Sequence, residues 1–71
     1  MKIHGIRIVA NELCPPLLRE YKYYAVVKYL FVKDESGTRK VNKIFEETYG
    51  NTEEEAEEKM QEQVNDWVNS Q

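Results

Sequence analysis

Little in this sequence serves catalysis, covalent stapling or membrane insertion. A single cysteine, Cys14, excludes an internal disulfide, and with one histidine, His4, it leaves no cluster fit for a structural zinc. A lone thiol fits a reducing compartment. No run approaches the roughly 18 apolar residues of a membrane-spanning helix. The opening stretch MKIHGIRIVA alternates in character and has no long apolar block, so it is not read as a signal peptide. Phosphate-binding glycine loops, the dinucleotide-binding glycine pattern and zinc-ligand spacings are all missing. Cys14 precedes two prolines and has no base or cationic neighbour in sequence to activate it. The expectation is a cytoplasmic, non-enzymatic chain with no cofactor, no metal and no small-molecule substrate. At 71 residues it is one small domain. Such a chain buries only about 60% of its unfolded surface, so its core is thin and self-association would help it.

What is present is a charge split. Residues 1–44 hold nine Lys/Arg against four Asp/Glu, a surplus of +5. Residues 45–71 hold one lysine against nine acids, a surplus of −8. The pattern predicts a molecule with a basic side and an acidic side, or an acidic helix solvated beside an ordinary mixed-charge sheet.

The chain divides into four elements with no repeat and no low-complexity linker. A first strand covers about residues 2–10, with His4, Ile6, Ile8 and Ala10 on one face and Ile3, Gly5, Arg7 and Val9 on the other. Pro15 and Pro16 make residues 11–20 a connector, with Leu13, Leu17 and Leu18 available to cap the core. A second strand is YKYYAVVKYLFV, residues 21–32, and a third runs from Arg39 to Tyr49. Glu35-Ser36-Gly37 suits a three-residue hairpin loop. That loop pairs Asp34 with Thr38, Phe31 with Val41, Val27 with Phe45 and Tyr23 with Tyr49. It gathers the odd-numbered residues from Tyr21 to Phe31 with Val41, Phe45 and Tyr49 on one face. The helix opens at YGNTEEEAEEKM, with Thr52 as N-cap and Glu55 completing a capping box. Glu53, Glu54 and Glu55 suit the positive end of the helix dipole. Ala56, Met60, Val64, Trp67 and Val68 form one apolar stripe. The fold class is therefore α+β: a three-stranded antiparallel sheet with one C-terminal helix on one face, β-β-β-α.

One helix cannot cover both sides of a sheet. The exposed face is expected to carry Arg7, Lys22, Tyr24, Val26, Lys28, Leu30, Val32, Lys40 and Ile44, centred on Tyr24, Val26, Lys28, Leu30 and Ile44. A contiguous apolar patch on so small a chain marks an interaction site. The first reading is a protein partner, including a second copy in a homodimer. The second is nucleic acid, with Arg7, Lys22, Lys28 and Lys40 on phosphates and Tyr24 stacking. The third is plain β-propensity with lysine stems lying over the surface. A separate candidate is the row Glu54, Glu57, Glu58, Glu62 and Asp66, which could occupy a basic groove on a nucleic-acid enzyme as an inhibitor would. Carboxylates along one helix do not converge as calcium ligands do.

The segment GNTEEEAEEKM resembles the strand-turn-helix junction of HicB-like antitoxins and of the arm-binding domains of phage integrases. Helix-capping physics accounts for that likeness, and no functional residue is carried over from it. Small size, no catalytic set and charge polarity are also common in phage and mobile-element accessory proteins.

Overall fold

The computed structural model describes residues 1–13 and 21–71. The expected roles of Cys14, the proline pair, Leu17 and Leu18 lie outside the described residues. The chain runs β1 (Lys2–Glu12), β2 (Tyr23–Asp34), β3 (Gly37–Lys40), β4 (Thr48–Gly50), α1 (Glu53–Asn69). β1 pairs with one side of β2, and β3 and β4 lie along the other, all antiparallel. The architecture is the α+β sheet-plus-helix expected, with the third strand split in two.

The hairpin is one residue tighter than the sequence suggests. Asp34 faces Gly37 rather than Thr38, and Phe31 faces Lys40 rather than Val41. Asp34 Oδ1 accepts the Ser36 N–H at 2.8 Å, which leaves Glu35 and Ser36 as the turn. Gly37 supplies the positive φ, 113°, that side-chain-bearing residues rarely adopt. Further along, Tyr24 faces Tyr49 and Ala25 faces Thr48, so the expected pairs Val27–Phe45 and Tyr23–Tyr49 do not form. From Phe31 back to Tyr24 the chain advances seven residues, while from Lys40 to Tyr49 it advances nine. The surplus of two is taken up where residues 41–47 leave the ladder. There Gln63 of α1 stands in for a strand partner. Its Oε1 accepts the Glu46 N–H at 3.1 Å and its Nε2 donates to the Glu46 carbonyl at 3.0 Å. Val41 and Phe45 turn inward from this arch, and Phe45 meets Trp67 edge-on at 5.7 Å.

Two bulges set which side chains reach the core. Lys28 has no partner between the pairs Arg7–Tyr29 and Ile8–Val27, and His4 has none between Ile3–Val32 and Gly5–Phe31. An unpaired residue reverses the alternation of its strand beyond that point. The odd-numbered residues Tyr23, Ala25 and Val27 face the helix as expected. Past Lys28, however, it is Leu30 and Val32 that turn inward, 1% and 0% exposed. Tyr29 and Phe31 move to the other side. In β1, Ile6, Ile8 and Ala10 pack on the core, as does Ile3, while His4 is exposed.

α1 covers this face with the predicted stripe: Ala56, Met60, Val64 and Val68 are buried and Trp67 packs beside them. Its start is fixed as expected, with Thr52 Oγ1 accepting the Glu55 N–H at 3.1 Å. Glu55 returns to the Asn51 N–H at 3.3 Å, one residue ahead of the cap itself. Thr48 Oγ1 donates to the Ala56 carbonyl at 2.7 Å, and Lys59 Nζ donates to the Tyr49 carbonyl at 2.8 Å. These two bonds tie the first turns of the helix to β4. No helix is long and apolar enough to cross a membrane among the described residues.

Candidate functional site

The helix-free face of the sheet follows from the bulged alternation. β1 contributes Arg7 and Val9, β2 contributes Tyr24, Val26, Tyr29 and Phe31, and β3 contributes Lys40. Val9, Tyr24, Val26 and Phe31 are half-buried, shielded by one another across the strands, and Tyr29 is 39% exposed. Tyr29 and Phe31 hold each other in a tilted pair with ring centres 5.6 Å apart. Arg7, Lys28 and Lys40 are exposed around this strip. Lys22 is exposed just before β2, anchored by its N–H to the Gly50 carbonyl at 3.0 Å.

Seven of the nine residues expected to share this surface are exposed or half-buried, but two are not. Leu30 and Val32 belong to the core, because the Lys28 bulge sends them under the helix. Ile44 is 93% exposed, yet it stands on the arch of residues 41–47 rather than in a strand row. The centre of the face is therefore Val26, Tyr29 and Phe31. Unbroken alternation would put the last two on the buried side. Lys28 itself was the available signal: a lysine inside an apolar run sits comfortably where the strand skips a residue.

The acidic row lies on the other side of the molecule. Glu54, Glu58, Glu62 and Asp66 are exposed and Glu57 is half-buried. Glu54, Glu57 and Glu58 share a groove with Ile6, Ile8 and Gln61, along the β1 border of the helix. Among the described residues the ion pairs are Arg39–Asp34 at 3.4 Å and Lys59–Glu55 at 3.3 Å, so none of these five acids is neutralised by a neighbouring cation.

Among the described residues, titrating groups are perturbed at two places, both outside these surfaces. The Ser36 N–H bond holds the Asp34 carboxyl below its ordinary range, partly opposed by desolvation and aided by Arg39. Tyr49 donates to Glu47 Oε2 at 3.1 Å, and that bond raises its phenol above the usual value. Among the described residues no three His, Cys, Asp or Glu side chains converge on a point that could hold a metal ion.

No known protein family matches this sequence. No curated protein and no solved structure matches it either.

Proposed function

We propose that this chain is a non-catalytic binding module that engages another protein through the helix-free face of its sheet. The observation that carries the reading is the strip Val9, Val26, Tyr29 and Phe31, apolar, contiguous across two strands and covered by no element among the described residues. Patches of this kind on small domains mark interaction sites, and paired aromatics are the usual anchors of protein interfaces. Arg7, Lys28 and Lys40 form a cationic rim that would steer an acidic partner. A regulator or inhibitor of the phage or mobile-element accessory type would act by such capture.

A photo-crosslinking side chain at position 29, with position 62 on the far side as control, tests this in the native host. A discrete protein adduct from position 29 alone is the expected result. Adducts to the chain itself would make the face a homodimer interface instead.

A second reading is nucleic acid, favoured by the placement of Arg7, Lys28, Lys40 and Tyr24 on the side away from the acidic helix. An amide-resolved NMR titration with short duplex DNA and single-stranded RNA at low salt decides it. Shifts at Arg7, Tyr24, Lys28 and Lys40 that fade with added salt would establish this reading over the first. Silence at every amide removes it.

A further inference from the structure

Among the described residues β1 is an edge strand whose outer side carries no partner. It pairs with β2 alone among the described residues, and half of the peptide groups of an edge strand point away from its partner. Edges are commonly blunted by bulges, and β1 has one at His4; from Gly5 to Glu12 every residue of β1 has a partner, the shift at Arg7/Ile8 being taken up by the unpaired Lys28 of β2. Beside that part runs the groove between β1 and α1. Its floor is Ile6 and Ile8, both half-buried at the margin of the core, and its wall is Glu54, Glu57, Glu58 and Gln61. None of the three carboxylates is engaged by a cation or a side-chain donor among the described residues.

We propose that this edge accepts an extended segment of another protein as an added strand, one with Lys or Arg at alternate positions. The reading concerns a different surface from the sheet face above and does not depend on it. A strand pairing with β1 would lie about 4.8 Å from it and send every second side chain toward the helix layer. Those side chains meet isoleucine below and carboxylates alongside. A lysine or arginine satisfies both, with its stem on Ile6 and Ile8 and its charge against Glu54, Glu57 and Glu58. An apolar side chain would leave the carboxylates unpaired, and an acidic one would be repelled. On the opposite face the intervening side chains lie beside Arg7 and Val9, where further cations are disfavoured. The edge therefore selects for period as well as charge. The same wall turns away a second copy. Antiparallel pairing of two β1 edges would set two rows of Glu54, Glu57 and Glu58 face to face.

The test is an amide-resolved NMR titration with a capped octapeptide of alternating Lys and Thr. A capped peptide of the same composition with its lysines in one block is the first control. A version of the alternating peptide N-methylated at every second residue is the other. The expected result is saturable shifts over residues 5–11 and slowed hydrogen exchange there. Binding should be weaker for the block peptide and lost for the N-methylated one. Combined Glu54→Gln, Glu57→Gln and Glu58→Gln should weaken binding roughly tenfold, and Glu62→Gln should leave it unchanged. No binding at low salt, equal binding by the block or N-methylated peptide, or shifts centred away from β1 would overturn the proposal. The peptide controls need no protein variant, so they hold even if the triple substitution perturbs folding.

Discussion

Gly50 is buried where β4 turns into the helix, and its constraint is steric rather than conformational. A Cβ there would sit 2.8 Å from the Ala56 backbone nitrogen and 2.8 Å from Glu55 Cβ. Neither atom can move without unwinding the first turn. Gly50→Ala is expected to cost about 1–3 kcal/mol, read from the urea midpoint. Gly5→Ala is the contrast, because nothing lies within 4 Å of its added methyl. It should change stability by less than about 0.5 kcal/mol. Asp34 is the second residue with a defined consequence. Its carboxyl is depressed in the folded chain by the Ser36 N–H, so its contribution is present above the ordinary aspartate pKa. That contribution disappears as pH falls through the lower, folded value. An NMR titration should place the Asp34 carboxyl below that of an unstructured aspartate, with the Ser36 amide shift following the same curve. A Ser36 amide indifferent to that titration would remove the turn bond.

At the scale of elements, β2 shows both the reach of sequence reading and its limit. The helix was legible because capping and dipole chemistry are local: Thr52, the three glutamates and the apolar stripe all fall within one segment. The sheet was legible as alternation, and the first half of β2 obeys it. The second half does not, because both alternations of Tyr29-Leu30-Phe31-Val32 are apolar and only tertiary packing chooses between them. The edge of β3 failed for a similar reason. A turn of two or three residues fits the same Glu35-Ser36-Gly37, and the Asp34 side chain decides it. The two halves of β2 can be separated by substitution. Leu30→Ala should cost about 2–5 kcal/mol, while Tyr29→Ala, on the open face, should cost about 1 kcal/mol or less. Equal losses in thermal or urea unfolding would mean that the strand is not bulged at Lys28.

The whole molecule is elongated, 45 × 18 × 17 Å. β2 at twelve residues spans about 40 Å and α1 at seventeen about 25 Å, so the strand is the longer of the two. The charge split of the sequence becomes a split in space. The cations Arg7, Lys28 and Lys40 are on the helix-free side, and the glutamates of α1 are on the other. A molecule so divided presents each pole separately to a charged surface. At pH 7 and low ionic strength it should be retained on a cation-exchange resin despite its net charge of −3, and it should elute early in a salt gradient. Passage straight through the column would mean that the two charge sets act as one averaged field.

The unpaired Lys28 also bears on how this strand could change length over generations. Removing that one codon would leave Ala25, Val27, Leu30 and Val32 in simple alternation on the helix side, with no bulge needed. Removing Val26 instead would bring Lys28 inward at the place of Val27. Lys28 thus has the character of an insertion that the fold has absorbed, and single-codon loss there is a change the chain can survive.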